Sequence, residues 1–491
     1  MKYKYLLFIA FSLVFSALQS QNSWYVSENG DDNTGNGSLN NPWATITKAM
    51  GENDVIDSDT IHIIGTITED GVAEWGIQVM KDLIFRGESK ETSIIQAASS
   101  NASANRRVFT IWDVADVQMI NLSIRNGYIN AISFQYGAGI LNWGNLSLEN
   151  CIVSENYCDN EFLGGGIYNQ FGTLAISNTY IYSNYSYFGG AGLVNEGGTV
   201  DIENSSFALN YCQGNLAGGG AIYTTEESNM NITNCTFYYN LLGLNSFGGA
   251  IYIKASDGDI NIELLNTSII DNEAGSGSEG LGLFIENETS NSVHLSLKNC
   301  IISNGNSSNY AESGNGIINL NRTYTLCNDA SLPNGDSNGN IDNTNPLIDG
   351  FMNHGGLTPT CALQSTSPAI NSGTNEGAPE TDQRGMPRSG ICDIGSFEYQ
   401  INMGIPYDLV MNDINIYPNP ANDIIYVDFN QLEKQNIRFI IFNSLGEIMK
   451  LSTSTCSSKR MAIDISNLPS GIYYLSTYAK SKKLGTEKFI K

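Results

Sequence analysis

Basic side chains are scarce in this chain. It contains 24 Lys and Arg residues against 50 Asp and Glu residues, and its formal net charge at pH 7 is −26. The acidic excess lies in residues 21–412, which hold 12 basic and 43 acidic residues. Such a surface repels nucleic acid and anionic membranes, so we expect no nucleic-acid partner.

Long hydrophobic runs are absent beyond the first 20 residues. Residues 1–20 have the order of a secretory signal peptide, with a basic start followed by the apolar run from Leu6 to Ala17. That run is shorter than the roughly 20 residues that cross a bilayer as a helix. The sequence therefore predicts a secreted chain without a membrane-spanning segment.

Amphipathic helical patterns are also missing between Gly137 and Asn304, where two short phrases alternate. The first phrase is a glycine-rich step into an apolar residue: Gly137–Ile140, Gly164–Ile167, Gly190–Leu193, Gly219–Ile222, Gly248–Ile251 and Gly280–Leu283. The second is a short strand with one asparagine inside it and another at its end: Leu148–Asn156, Ile176–Asn184, Ile202–Asn210, Ile232–Asn240, Leu264–Asn272 and Leu297–Asn304. The first phrase recurs at steps of 27, 26, 29, 29 and 32 residues.

A repeat of this length without helices predicts an all-β fold, a right-handed parallel β-helix in which each coil stacks three short strands on those of the coil below. Glycine and asparagine at the corners tolerate the left-handed backbone found there. Asparagines at equivalent corners are also expected to hydrogen-bond along the stack through their side-chain amides. We assign residues 137–330 to this repeat array.

Residues 21–136 are predicted to form an N-terminal cap and the first coils. A short helix from about Ala44 to Gly51 presents Ile46 and Ala49 inward and closes the open end of the stack, which protects it from strand addition. The acidic turn Asp31–Asn33 has oxygen ligands suited to calcium, but an Asx turn explains the same residues.

The nine cysteines of the chain do not have the spacing of a disulfide framework. Cys151, Cys235 and Cys300 share one repeat position, and Cys158 and Cys212 share another. Two coils separate the cysteines of the second set by roughly 9.6 Å, which is beyond disulfide reach. We therefore expect buried or partly buried thiols, and only the pair Cys361 and Cys392 stays open as a disulfide.

Residues 331–400 follow the array and contain a second candidate calcium loop. Asp336, Asn338, Asn340 and Asp342 place oxygen atoms at alternate positions, as a calcium loop does, but the glutamate that completes such a loop is missing. A connecting loop with asparagines at its corners is the alternative. No other cofactor is indicated.

The rest of this region resembles the choice-of-anchor Q segment that ends many secreted bacterial β-helix proteins of the pectate-lyase type. The motifs that carry the resemblance occur in order: His354–Thr360, Ser367–Gly373, Asp382–Arg388 and Cys392–Glu398. The resemblance implies a varied surface anchor and no reaction. We expect Asp382 or Asp393 to pair with Arg384 and lock the last coil, and Phe397 to plug its apolar core.

Residues 401–412 are predicted to be a linker, and residues 413–491 a small immunoglobulin-like β-sandwich of about seven strands. Its phrases Tyr417–Ala421, Asp464–Leu468 and Lys488–Lys491 resemble the C-terminal sorting domain of the type IX secretion system. The resemblance implies a Bacteroidetes-type bacterium, contact with that secretion machinery, and export across the outer membrane to the cell surface or the medium.

Four of the six residues that follow the glycine steps are aromatic, and the other two are Leu141 and Val194. If the Ile or Leu of the step points inward, the next residue points outward. Tyr168, Tyr223, Tyr252 and Phe284 then form an exposed ladder on which the sugar rings of a glycan can stack; packing between coils is the alternative. The repeat also resembles that of chlamydial polymorphic outer-membrane proteins, which are adhesins, in the phrases Gly219–Ile222 and Phe207–Asn210.

Catalytic residues are not identified by the sequence. A polysaccharide lyase needs a basic catalytic group, yet between Gly127 and Tyr324 the basic residues are Lys254, Lys298 and Arg322, at unmatched positions. We therefore predict a secreted, monomeric surface protein that binds a polysaccharide or cell-surface glycan without catalysis. The alternative is a polysaccharide lyase, dependent on calcium or not, or a glycosidase with two carboxylates from neighbouring coils.

Overall fold

The computed structural model describes residues 21–69, 75–100, 103–130, 136–159, 162–305, 307–333, 335, 337–400, 414–429, 435–443, 448–456, 460–479 and 482–491. The chain divides into two compact units, residues 1–399 and 400–491. Residues 1–20 and 401–412, assigned above to the signal peptide and the linker, lie outside the described residues. No helix among the described residues is long and apolar enough to cross a membrane.

The first unit is a parallel β-helix of about nine coils, as predicted. The coils run through parallel sheets 1, 2 and 3, numbered here in that order, and six of the described coils also run through sheet 4. The strands of sheet 1 are Ile77–Val79, Phe109–Ile111, Ile140–Asn142, Ile167–Gln170, Leu193–Glu196, Ile222–Thr225, Ile251–Ala255, Leu283–Asn287 and Tyr310–Ser313. The strands of sheet 2 are Ser23–Ser27, Asp59–Ile64, Leu83–Gly87, Asp116–Ile120, Asn145–Glu149, Thr173–Ser177, Thr199–Glu203, Asn229–Thr233, Ile260–Leu265, Ser292–Lys298 and Ile317–Thr323.

Sheets 3 and 4 complete the coil. The strands of sheet 3 are Thr66–Thr68, Ile94–Gln96, Ser123–Arg125, Ile152–Ser154, Tyr180–Tyr182, Ser206–Ala208, Thr236–Tyr238, Ser268–Ile270, Ile301–Ser303 and Leu326–Cys327. The two-residue strands of sheet 4 are Tyr128–Ile129, Tyr157–Cys158, Tyr185–Ser186, Tyr211–Cys212, Leu241–Leu242 and Glu273–Ala274. Sheet 4 adds a fourth strand to the three that were predicted for each coil.

The corners of the coils have the left-handed backbone that the sequence predicts. The first glycine of each step has a φ between 55° and 76°. The asparagine between sheets 2 and 3 also has positive φ, for example 50° at Asn150 and 52° at Asn234. These residues tolerate that conformation better than other residues, so the turns form without a large steric cost.

The asparagine that closes each repeat belongs to a buried ladder. The side-chain nitrogen of Asn184 lies 3.1 Å from the side-chain oxygen of Asn210, and that of Asn210 lies 2.9 Å from the oxygen of Asn240. The ladder runs from Asn156 to Asn304, and each of its side chains is nearly inaccessible to solvent. The predicted hydrogen bonding between coils is confirmed.

The N-terminal end is closed by a helix at Ile46–Gly51, as predicted. Thr45 caps the helix by accepting a hydrogen bond from the Lys48 amide, and Ile46 and Ala49 are buried in the core of the first coils. The carboxylate of Glu69 accepts hydrogen bonds from the Ile46 amide and the Thr47 hydroxyl. Asp31 accepts the Asn33 amide at 2.7 Å, which is an Asx turn.

Residues 344–399, called here the flank segment, run along the outer face of sheet 3. The segment contains two antiparallel strands, Ile348–Met352 and Thr360–Leu363. It contacts coils that lie far apart: the Lys90 ammonium donates to the Leu357 carbonyl at 2.7 Å, and the Asn299 amide to the Thr374 carbonyl at 2.9 Å. The segment therefore covers one side of the stack.

Two expectations for this segment differ in outcome. The pair of Asp382 and Arg384 is present, with an N–O distance of 2.7 Å. Arg384 also donates to the carbonyls of His354 and Glu398, so the pair ties the flank segment to itself and not to the last coil. The expectation that Phe397 plugs the core of the last coil is wrong, because its ring packs under the Arg384 guanidinium in an apolar cluster on the outer side of sheet 3. Sheet 3 presents Ser206, Thr236 and other side chains outward, and these bind the flank segment rather than water.

The eight cysteines whose side chains the structure describes are all buried thiols, and Cys361 and Cys392 do not form a disulfide. Burial raises the pKa of Cys151 to about 12, so this thiol stays protonated at neutral pH.

The second unit is a sandwich of two antiparallel sheets. One sheet contains Ile414–Tyr417, Ile424–Phe429 and Arg460–Asp464; the other contains Gln435–Asn443, Ile448–Cys456, Ile472–Ala479 and Lys482–Ile490. Its core combines side chains of both sheets, among them Ile425 and Val427 with Ile441 and Leu475. The prediction of a seven-stranded sandwich is confirmed for the described residues.

Candidate functional site

The predicted aromatic row is present but covered. Tyr168, Tyr223, Tyr252 and Phe284 occupy one register of sheet 1. Tyr168 is 1% exposed, Tyr252 6% and Phe284 2%, and only Tyr223 is partly exposed. The expectation of an exposed ladder is therefore wrong for this row.

The segments that precede the glycine steps cover these rings. They form a line of parallel bridges through Leu163, Gly189, Gly218 and Phe247, outside sheet 1. Tyr136 stacks on Tyr168 at 4.6 Å between ring centroids, and Phe247 packs on Phe284 at 4.5 Å. The aromatic row and the segments that cover it thus form a second apolar layer outside sheet 1, and the row is the inner side of that layer.

The hydroxyl groups of the row hold two carboxylates in place. Tyr168 donates a hydrogen bond to Glu196, and Tyr252 donates to Glu286, which also pairs with Lys254 at 2.8 Å. The other oxygen of Glu196 accepts the Gln170 amide at 2.8 Å. These carboxylates stand at the end of sheet 1, so the row positions groups at the next corner.

That corner, where sheet 1 turns into sheet 2, contains three cavities that share lining residues. The first, of about 380 Å³, is lined by Trp112, Asp113, Trp143, Gln170 and Phe171. The second, of about 430 Å³, is lined by Phe171, Gly197, Thr199, Glu226, Glu227, Asn229, Asp257 and Gly258. The third, of about 420 Å³, extends from Asn229 over the outer face of sheet 2 to Asn319 and Asn321.

Phe171 belongs to the first and second cavities, and Asn229 to the second and third. We call the three together the corner groove. It runs along the stack of coils and changes in chemistry from one end to the other.

The first end of the corner groove is aromatic. Trp75, Trp112 and Trp143 form a cluster with ring centroids 5.0 to 6.1 Å apart. The Trp143 indole nitrogen donates to the Gln170 side chain at 2.6 Å, which fixes the ring. Phe171 in the next coil is 64% exposed. A large exposed ring beside an ordered indole cluster offers apolar faces to a ligand.

The middle of the corner groove is acidic. Glu226 and Glu227 come from one coil and Asp257 from the next. Burial raises the pKa of Glu226, and the nearby carboxylates of Glu196 and Asp257 raise it further. Among the described residues that line the three cavities, none is Lys or Arg. The groove therefore has hydrogen-bond acceptors and negative charge at its centre.

The far end of the corner groove is a polar sheet face. Asn229, Asn261, His294 and Asn319 stand at one register position in successive strands of sheet 2. Asn261 donates a hydrogen bond to Asn229 at 3.1 Å, which orders both amides. Each of these coils thus presents one polar side chain at this position and a second one two residues later: Asn231, Glu263, Ser296 and Asn321.

Two of the predicted calcium residues, Asn340 and Asp342, bind other groups in the structure. Asp336 lies outside the described residues. Both oxygens of Asp342 bind the buried Arg322 guanidinium, at 2.7 and 2.6 Å, and the Asn340 side chain accepts the Thr325 amide. Asn338 has a φ of 55°, as expected for a corner. The arrangement agrees with the alternative of a connecting loop.

The sequence pattern left the two carboxylates of a glycosidase without named residues, so Glu226, Glu227 and Asp257 were not singled out, and neither were Trp112, Trp143 and Phe171. A signal is present, since each of these residues lies two to four positions before a strand of sheet 2. The turns differ in length and composition, so the common position is visible only after the strands have been aligned.

Comparison with known proteins identifies the second unit. Residues 415–491 match the family described as the secretion system C-terminal sorting domain. No curated protein matches the chain. A sorting domain of this type directs secretion across the outer membrane to the cell surface or the extracellular space. The chain, with its β-helix, is therefore exported to the cell surface or the extracellular space.

Proposed function

We propose that this protein, exported through its sorting domain, is a carbohydrate-binding surface protein that holds an extracellular glycan in the corner groove. The observation that carries the proposal is the succession of three cavities along the stack, in which neighbouring cavities share a lining residue, with aromatic rings at one end and carboxylates and amides along the rest. The buried row of Tyr168, Tyr252 and Phe284 supports the groove from behind and is not assigned to contact with the ligand.

The chemistry of a sugar matches this combination. The C–H face of a pyranose ring is apolar and packs against an aromatic ring, such as the exposed Phe171. Its hydroxyl groups can donate hydrogen bonds to a carboxylate such as that of Glu226. They can also donate to, and accept from, a side-chain amide such as that of Asn229. Ligand sites commonly combine apolar walls with a few placed polar groups.

The proposal is tested by binding of the secreted protein to a panel of soluble polysaccharides. For a glycan that binds, Phe171→Ala should weaken affinity by about tenfold, which corresponds to a stacking contribution near 1.4 kcal/mol. Phe188→Ala is the matched control, since Phe188 is also exposed but lies at the turn between sheets 4 and 1. Failure to bind any glycan, or equal affinity in both variants, would overturn the proposal.

A glycoside hydrolase is the second candidate, and one observation favours it. Glu226, whose pKa is raised by burial, shares a cavity with Glu227 and with Asp257 of the neighbouring coil. Two carboxyl groups in one cleft, one as acid and one as base or nucleophile, are the groups that glycoside hydrolysis uses. The formation of new reducing ends, measured in the same panel, shows hydrolysis and decides between the candidates. If reducing ends form, Glu226→Gln should abolish their formation and leave glycan binding unchanged.

A further inference from the structure

We infer that the corner groove selects an extended, β-linked glycan without acidic groups, laid along about seven coils. The inference rests on the proposed function and specifies the class of ligand. It follows from three features of the groove: its length, its repeat and its charge.

The length follows from the strands that the groove crosses. Trp112 precedes the strand Asp116–Ile120, and Asn319 lies in the strand Ile317–Thr323. Between these two strands sheet 2 advances by seven steps. At a strand spacing of about 4.8 Å the groove is about 34 Å long. An extended chain of roughly seven pyranose units has that length.

The repeat favours an extended chain over a coiled one. A β-linked pyranose advances by about 5 Å in an extended chain, which is close to the spacing of strands. Asn229, Asn261, His294 and Asn319 therefore offer one polar side chain for each sugar unit. An α-linked chain that curls into a helix leaves this straight row after a few units, so it forms fewer contacts.

The charge excludes acidic glycans. Asp113, Glu226, Glu227, Asp257 and Glu263 line the three cavities, and no Lys or Arg does so among the described residues. The nearby Lys254 is paired with Glu286 at 2.8 Å. A uronate or sulfate group would therefore lie beside carboxylates with no basic side chain among the lining residues, which is unfavourable because like charges repel.

The two ends of the groove should also contribute differently to affinity. Phe171 and the indole cluster bind the first few sugar units, so they contribute to the affinity of every oligosaccharide that binds. Asn261 and Asn319 are reached only by longer chains. Their contribution should therefore appear only above a threshold length.

The test is calorimetric titration of the full secreted chain with β-1,4-linked oligomers of glucose, mannose, xylose and N-acetylglucosamine, two to eight units long. For the series that binds, affinity should rise with length up to about seven units and then stay constant. Asn261→Ala should weaken binding of the longest oligomers by about threefold to tenfold and leave that of trimers unchanged. Phe171→Ala should weaken binding at every length.

The control for Asn261→Ala is Asn215→Ala. Asn215 is also exposed and also hydrogen-bonds an asparagine of the next coil, Asn245, at 2.9 Å, but this pair lies at another corner. The substitution Asn215→Ala should leave affinity unchanged for oligosaccharides of every length.

Three outcomes would overturn the inference and leave the proposed function standing, provided that Phe171→Ala still weakens binding. They are full affinity for a dimer or trimer, equal affinity for uronate oligomers of the same length, and equal affinity for α-1,4-linked oligomers. Failure of all glycans to bind overturns the proposed function as well.

Discussion

At the scale of single residues, the buried asparagines contribute to stability in a way that apolar residues cannot. Asn210 is inaccessible to solvent, and its side chain donates to the Ile181 carbonyl and to Asn240. Its oxygen accepts the backbone and side-chain amides of Asn184, both at 3.1 Å. One side chain therefore satisfies buried polar groups in two neighbouring coils, and such groups are costly when they are left unpaired.

We expect Asn210→Ala to lower the free energy of unfolding by about 2–4 kcal/mol, because several buried partners lose their hydrogen bonds at once. Urea unfolding followed by circular dichroism measures the change. Asn145→Ala is the control: Asn145 is exposed on sheet 2, and its substitution should change stability by less than about 0.5 kcal/mol. A similar loss in both variants would contradict the role assigned to the ladder.

At the scale of elements, the flank segment is a second means of holding the coils together. Gln383 is 2% exposed, and its amide donates to Ser206 at 2.8 Å, while its oxygen accepts the Thr236 hydroxyl at 2.6 Å. Ser206 and Thr236 belong to adjacent coils of sheet 3. A residue distant in sequence therefore links two coils from outside.

We predict that Gln383→Ala loosens the flank segment without unfolding the β-helix. Hydrogen exchange should become faster in residues 344–399, and limited proteolysis should cut there first, because local stability depends on the contacts that an element makes. Gln364→Ala serves as the control, since Gln364 is exposed in the same segment. Equal protection of this segment in Gln383→Ala and in the unmodified chain would show that the buried contacts are dispensable.

At the scale of the whole molecule, charge and function divide between the two units. Residues 21–412 have a net charge of −31, whereas residues 413–491 hold 10 basic and 7 acidic residues. The second unit has its own core and matches a sorting domain. The address for export is therefore carried by the second unit.

A chain that ends at residue 412 should accumulate inside the producing cell, because the sorting domain carries the export signal. Fractionation followed by immunoblotting compares this truncated chain with the full chain, and a reporter fused to residues 413–491 behind a signal peptide is the complementary construction. Release of the truncated chain in normal yield would contradict the assignment.

The sequence by itself determined the features that depend on local spacing. The glycine steps and the asparagine phrases specify where the backbone turns, since few residues tolerate positive φ, and their regular recurrence places Asn184 above Asn210 in the stack. The strands of residues 413–491 and their motifs were equally readable, because alternation and turn residues are local signals. The fold class and the sorting domain followed from these features.

The tertiary structure decided which faces of the coils meet solvent. Alternation correctly placed Tyr168 outside sheet 1, but it carries no information about Leu163 and the neighbouring loops that fold over it. Phe397 was assigned to the end of the stack, although it packs on the flank of sheet 3. The corner groove joins Trp112, Phe171 and Asn229, which are separated in sequence and come together because each coil rises by only about 4.8 Å. Burial and proximity between distant coils depend on the folded chain as a whole, so the site required the structure.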